Sequence, residues 1–343
     1  MAHEIEKFAF VGDRSKIWHG LGTEIPANSD VDTVVRAAGL NWQAMTAVPT
    51  YTLPDGTVRT WDGMRVQFRD DTGDALGLIS AEKYNVVQPR EIVEFFADFL
   101  ADNKLNIDTA ACLKKGRVVM CNAKLGEDYR VNVMGVDPTD HYLTLVTSYD
   151  GTLATTAYMT GLRTVCMNTL RANLSHTDRS GKQWRTSHNS QFDSRALQNA
   201  VGLFGKELAM RAEVWNTLAD TKATDEQVAR FFAEVIDVRP EYIGQFTKDG
   251  KSVVSAAKLN VIKALAASYK NGPGSSLKSA AGTWYGALNA VTDYVDHSGR
   301  TRDTLGEGED KSRLYTVNFG TGAVTKAKAQ KLAMQYAGIK VAA

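Results

Sequence analysis

Residues 160–188, TGLRTVCMNTLRANLSHTDRSGKQWRTSH, gather the side chains most able to do chemistry. Cys166, His176 and His188 are the raw material of a thiol nucleophile and its base. Such a nucleophile needs a lowered thiol pKa and a base within hydrogen-bond reach. Cys166 instead sits between Val165 and Met167 with no nucleophile signature around it, and it reads as a core thiol. The same stretch sets Arg163, Arg171, Arg179, Lys182 and Arg185 against one acidic residue, Asp178, with Trp184 among the last of them. Cations interleaved with an aromatic ring suit single-stranded nucleic acid, because the charges track phosphates and the ring stacks on bases. Lys114, Lys115 and Arg117 at the entry to an expected strand, and Lys326, Lys328 and Lys331 near the end, are placed to extend such a groove. The bland alternative is an exposed, solvated loop.

Two other constellations compete. Asp293, Asp296 and His297 in DYVDH have spacings that put them on one helix face, where they would hold a divalent metal for hydrolysis. The same residues also read as a helix end, with His297 favoured by the helix dipole and Ser298-Gly299 as the stop. WHGLGTE, Trp18 to Glu24, has two glycines but lacks the spacing and the strand–helix setting of a phosphate loop. Trp18 and His19 read better as anchors for an N-terminal arm.

The elements that must position these residues fall into two halves. TVRTWDGMRVQFRD alternates apolar and polar residues after the Pro54-Asp55-Gly56 turn and predicts a strand. ALGLIS, YNVV and GRVVMCNAKL are further runs of strand length. PREIVEFFADFLADN predicts a helix from Pro89, whose Ile92, Phe95, Phe96, Phe99 and Leu100 form a stripe to pack on a sheet. YLTLVTSYDGTLATTAYM predicts a hairpin with Asp150-Gly151 as a two-residue turn. After it, Val165, Thr169 and Leu170 suit one face of a helix. From Phe192 the pattern turns helical: RALQNAVGLFGKELAMRAEVWNTLAD, TDEQVARFFAEVID with a Thr-x-x-Gln capping box, SAAKLNVIKALAASYK, AAGTWYGALNAVTDYVDH, and the basic GAVTKAKAQKLAMQYAGIK. The expected fold is α+β: an antiparallel β-meander with packed helices over residues 1–190, followed by a mostly helical half over 191–343.

Composition narrows the function. Of 343 residues, 43% are hydrophobic and 23% charged, which suits a folded soluble protein. A formal net charge of +1 excludes wholesale attraction to nucleic acid or membrane, so any anion site must be a local concentration of charge. Three widely spaced cysteines, with no C-x-x-C pair, fit a reduced compartment and argue against a disulfide or zinc framework. The first residues, MAHEIEKFAF, carry two Glu and no apolar core of signal-peptide length, and no apolar run approaches transmembrane length. A cytoplasmic location in the host cell, without membrane contact, is expected.

Several motifs in order carry a resemblance: MAHEIE at the start, WHGLGT at 18–23, AAGLNW at 37–42, SYDGTLA at 148–154, RTVCMNTL at 163–170 and GTWYGALNAVTDYVDH at 282–297. Together they resemble the phage/plasmid-like protein family, a family of unknown function carried by prophages, phages and plasmids. The resemblance implies a mobile-element origin and brings no catalytic residues. The order of a helix, an antiparallel meander ending in a hairpin, and a basic segment is similar to the core of phage single-strand annealing proteins of the Red-beta and Erf type. That likeness is architectural, without matching motifs. It implies rings or filaments that hold single-stranded DNA in a basic groove.

The expectation is therefore a non-enzymatic phage protein that binds single-stranded DNA, needs no cofactor, and works as a homo-oligomer, with a host or phage recombination protein as a further partner. Lys114, Lys115, Arg117, Arg163, Arg171, Arg179, Lys182 and Arg185 would neutralise phosphates, and Trp184 would stack. One alternative is an oligomeric protein that engages a host protein, using Trp284, Tyr285, Leu288 and Val291 between subunits. A metal-dependent nuclease is the third.

Overall fold

The structure, a computed structural model, describes residues 5–12, 22–82, 84–102, 105–163, 168–171, 184–186, 194–299, 316–317 and 320–340. For 5–6, 102, 163, 168–171, 184–186, 194–198 and 200–207 it describes the backbone path alone. The chain runs through β1 (Ile5–Val11), β2 (Thr23–Ile25), α1 (Val31–Ala37), β3 (Ala44–Ala47), β4 (Thr50–Thr52), β5 (Val58–Thr60), β6 (Met64–Arg69) and β7 (Ala75–Ser80). It continues with α2 (Pro89–Asp102), β8 (Ile107–Leu113), β9 (Val118–Lys124), β10 (Val131–Val133), β11 (Asp137–Ser148), β12 (Thr155–Arg163), β13 (Asn168–Arg171) and β14 (Trp184–Thr186). Helices follow: α3 (Ser194–Asp220), α4 (Asp225–Val235), α5 (Ala256–Asn271), α6 (Trp284–Asp293), a π turn (Tyr294–Ser298) and α7 (Thr321–Tyr336). The protein is α+β, strands first and helices after, as its residue pattern predicts.

The main sheet has the order β13-β12-β11-β9-β8-β1-β2, with β10 beside β11 and β14 beside β12. All of these pairs are antiparallel except β1 with β2. Alternation divides the residues of this sheet between two faces. The inner face carries Ala110, Cys112, Val119, Cys121, Leu143 and Leu145 into one hydrophobic core with Ile92 and Phe96 of α2. That core also holds Trp215, Phe231 and Trp284, so residues on both sides of position 190 share it. The outer face carries a smaller apolar cluster, including Phe8, Phe10, Met120, Val146 and Tyr158. A three-stranded sheet β3-β6-β7 and the pair β4-β5 stand apart from the main sheet.

Most predicted elements stand where their periodicity puts them. Pro89 opens α2, where its missing N–H costs nothing, and Ile92, Phe96, Phe99 and Leu100 are buried beneath it, with Phe95 packed at the margin. The capping box is present: Thr224 N donates to Gln227 Oε1 at 2.9 Å, and Gln227 N donates to Thr224 Oγ1 at 3.2 Å.

Four expectations need correction. TVRTWDGMRVQFRD is not one strand: Met64 N returns to Trp61 O at 3.1 Å, and the turn sends β5 and β6 into different sheets. YNVV forms no strand and instead leads into α2. The 149–154 connection of the β11–β12 hairpin is longer than the expected two residues. Asp150 Oδ1 accepts from Thr152 N at 2.9 Å, and Ser148 Oγ accepts from Leu153 N at 2.8 Å, which holds a wider loop open. Finally, Thr169 and Leu170 belong to strand β13, not to a helix, because the free edge of β12 offers the backbone a ladder. Val165 lies outside the described residues.

Candidate nucleic-acid interface

Lys114, Lys115 and Arg117 occupy the turn between β8 and β9. Lys114 and Lys115 have φ of 52° and 56°, left-handed conformations uncommon outside glycine, and Gly116 follows at 89°. Gly116 admits no substitute, since a Cβ would stand 2.9 Å from Trp42 Cζ2 and 3.0 Å from Arg69 Cδ. The turn is thus pressed onto the small sheet through a buried Arg69, which lies over the Trp42 ring at 4.9 Å and pairs with Asp71 at 2.7 Å. This leaves Lys115 and Arg117 exposed at the rim, with Arg117 Nη2 reaching Ala75 O at 3.4 Å.

The central basic stretch is split by the sheet. β13 and β14 both pair with the outer edge of β12, one toward each end. Arg171 stands opposite Thr160, Trp184 opposite Ala157 and Arg185 opposite Thr156. The two arginine positions are thus separated by four residues of β12, about 13 Å along the strand. Arg163 closes β12 opposite Thr139 and Asn168. β12 is nine residues long, so its two ends are about 26 Å apart. Arg185 lies at the end that carries the β8–β9 turn, and Arg163 lies at the other. Arg179 and Lys182 are outside the described residues, as are Cys166, His176, His188, Trp18 and His19.

Register also uncovers residues that the search for basic runs missed. Lys124, Tyr142, Thr160 and Arg171 form one cross-strand row through β9, β11, β12 and β13. Beside it run Thr109, Asn122, Thr144 and Tyr158. Asn122 Nδ2 donates to Thr109 Oγ1 at 2.9 Å, and the Thr144 and Thr160 hydroxyls meet at 3.1 Å. At the margin, Lys124 and Arg130 both reach Asp140, at 2.9 and 3.2 Å, so part of this positive charge is already answered. Burial lifts the Asp108 carboxyl to about 6 against the pull of Lys124, and it pushes the Tyr142 hydroxyl up as well. The alternation of Asp140, Tyr142 and Thr144 in DHYLT was the available sign of this polar face.

The C-terminal lysines do not extend a basic groove as expected. Lys326 is buried against Asp296 at 2.8 Å, and Lys328 pairs with Asp237, whose carboxyl it holds below the usual range. Only Lys331 of the three is exposed. The acidic trio is divided in the same way. Asp293 accepts from Ser268 Oγ at 2.6 Å, Asp296 turns inward to Lys326, and His297 faces out from the π turn. Among the described residues no group of three or more His, Cys, Asp or Glu is placed to hold a metal ion. Trp284, Tyr285, Leu288 and Val291, expected between subunits, are at most 2% exposed inside this chain's own core. Trp284 stacks on Tyr336 with ring centres 4.8 Å apart. Cys121 is free and buried, its thiol pushed up to about 12 by desolvation. No described helix is long and apolar enough to cross a membrane.

Fold and site together define an α+β protein whose helix-backed antiparallel sheet ends in an arginine-bearing edge. The chain belongs to the family described as Domain of unknown function (DUF932), which matches residues 75–317. That span runs from β7 through the whole helical half up to α7, and it includes the β12 edge. No curated protein and no solved structure matches the chain.

Proposed function

We propose that this protein holds single-stranded DNA along the β12 edge, as a non-enzymatic recombination or annealing factor of a phage or related mobile element. It would act in the host cytoplasm as a homo-oligomer that continues the path from one subunit to the next. The observation that carries the reading is the shared edge: β13 and β14 bring Arg171 and Arg185 to register positions of the same face along β12, with Trp184, opposite Ala157, at the alternate position between them. Lys114, Lys115 and Arg117 stand at the Arg185 end, with Lys115 and Arg117 exposed to solvent. Arg163, at the far end, would meet the strand only if it runs the full length of β12.

Binding of a labelled single-stranded oligonucleotide, measured by anisotropy against salt, tests this. The logarithm of affinity should fall with a slope of roughly −0.7 per phosphate contact. Arg171→Glu/Arg185→Glu and Lys114→Glu/Lys115→Glu should each weaken binding at least tenfold and flatten that slope. Salt-independent binding, or unchanged affinity in both variants, overturns the proposal. Light scattering with and without the oligonucleotide reads the assembly.

A second reading, a protein that engages a partner protein, draws on a different surface from the one expected. Met45, Val48, Tyr51, Val58, Trp61 and Leu78 are 41–62% exposed on or beside the small sheets. Apolar surface left open in this way is a common mark of protein contact. Capture of a partner that is lost on Trp61→Ser/Leu78→Lys, with oligonucleotide binding absent, would favour this reading over the first.

A further inference from the structure

The three-stranded sheet has one face packed and one face open. Gln67, Arg69 and Ile79 are buried on the face toward the main sheet. By register, Met45, Val66, Phe68 and Leu78 share the opposite face. An antiparallel sheet with one packed face ordinarily turns polar residues outward. Here the outward positions are apolar, and Met45 and Leu78 are 43% and 48% exposed. Beside them β4 and β5 form a sheet of two strands, with all six residues exposed. A lone hairpin is marginal in water, yet this one carries Tyr51 and Val58 and leads to Trp61, all more than half exposed. The rim is acidic. Asp55, Asp62, Asp70 and Asp74 are exposed against Arg59, while Arg69 is spent on Asp71 and Arg65 on the carbonyls of Asp62 and Met64.

A second apolar surface has the opposite sign. The loop between α4 and α5 is rooted by Val238 and Val254, which are buried together with Ala233 of α4. Between these roots Phe246 bridges to Ser252, and Thr247 N donates to Lys251 O at 2.7 Å, so the loop is a small hairpin. It shows Tyr242, Ile243, Phe246 and Val253 at 38%, 38%, 67% and 42% exposure. Around them and along α5, exposed Arg239, Lys248, Lys251, Lys258 and Lys263 outnumber Glu241 and Asp249. Among the described residues thirteen large apolar side chains are exposed, six on the first surface and four on the second. Exposure is therefore concentrated in two places, as contact surfaces are.

We propose that the acidic apolar face of the small sheets docks on the basic 239–254 loop of a second copy of this chain. Opposite charge around two apolar patches steers and registers such a contact, whereas either face set against its own copy would meet like charge. A contact between two different surfaces is head-to-tail, and it builds a ring where the rotation closes and a filament where it does not. The inference deepens the homo-oligomer part of the reading above and rests on that part alone, not on strand binding.

Light scattering of the full chain across concentration and salt, without nucleic acid, tests the contact. Mass should rise with concentration beyond that of one chain, and high salt should reduce the rise. Tyr51→Ser/Trp61→Ser and Phe246→Ser/Val253→Ser alter exposed side chains and should keep the parent's Tm. Each should raise the dissociation constant at least tenfold. Each variant retains the face that the other has lost, so an equimolar mixture should form a complex of two chains and no more. The charge reversals Asp55→Lys/Asp62→Lys and Lys248→Glu/Lys251→Glu repeat the test without removing apolar surface: assembly should weaken in each and return on mixing.

A chain that stays monomeric at every concentration overturns the proposal, and so do mixtures that stay monomeric. Assembly that all the variants leave intact keeps the homo-oligomer but assigns it to another surface. Loss of assembly in the small-sheet variants alone means that this face meets its own copy, which also overturns the head-to-tail contact. A different protein held there by a monomeric chain does the same. Assembly as expected with no oligonucleotide binding supports the contact and removes only the strand-binding reading.

Discussion

Lys326 Nζ donates to Asp296 Oδ1 at 2.8 Å, with the two side chains 5% and 0% exposed. The pair joins α7 to the π turn that ends α6, and it absorbs two residues whose types had suggested a phosphate contact and a metal ligand. Removing one member of a buried pair leaves the other charge inside. Lys326→Met should therefore cost about 3–5 kcal/mol in urea unfolding. The double variant Lys326→Met/Asp296→Leu should recover much of that loss. A single variant as stable as the parent would mean that the pair contributes nothing to the fold.

His141 gives the protein an acid weakness. Burial first, and the nearby Arg211 charge second, take its imidazole from 6.5 down to about 4, while the Tyr129 backbone, Asp140 and the Thr139 backbone pull the other way. The unfolded chain therefore binds a proton more readily than the folded one between these values. The associated stability is complete above pH 6.5 and is lost as pH falls toward 4, on the order of 3 kcal/mol in all. A Tm profile should decline over that window, and His141→Gln should flatten it. An unchanged profile in the variant would assign the decline elsewhere.

Asp108 works with the opposite sign. Its carboxyl is raised from 3.8 to about 6, chiefly by burial. The folded state thus holds a proton that the unfolded state has released, giving stability that is present below 3.8 and gone once pH passes 6. Asp108→Asn should stabilise the protein at pH 7.5 by about 3 kcal/mol, and by nothing measurable at pH 3.5. Equal effects at both pH values would contradict this account.

Gln67 is 0% exposed, and neither amide atom has a hydrogen-bond partner within 3.5 Å. It faces the main sheet across Gly77, where a Cβ would come 2.6 Å from Asp150 Cα. Gln67→Met keeps the volume and removes the unsatisfied amide, so stability should rise by about 1 kcal/mol. Destabilisation on this change would show that the amide is satisfied by water or a ligand.

Elements with a strong period were legible from residues alone. The stripe of α2, the capping box of α4 and the short apolar runs of β7 and β9 each follow from local sterics and from hydrogen bonds a few residues long. Arg171 was legible as a cation but not as an edge residue, since Thr169 and Leu170 fit a helical stripe as well as a strand. The partner that settled the matter, β12, is held by long-range pairing that no local window contains.

By itself, the order of residue types determined that strands precede helices, where most of them begin, and which side chains carry charge. Tertiary structure alone decided which charges are available. Lys326, Lys328 and Lys331 look the same in a sequence, yet the first two meet Asp296 and Asp237 while Lys331, on the same helix, is exposed. The reason is physical: charge is a property of the residue, whereas its neutralisation depends on groups tens of positions away that only the closed core brings within 3 Å.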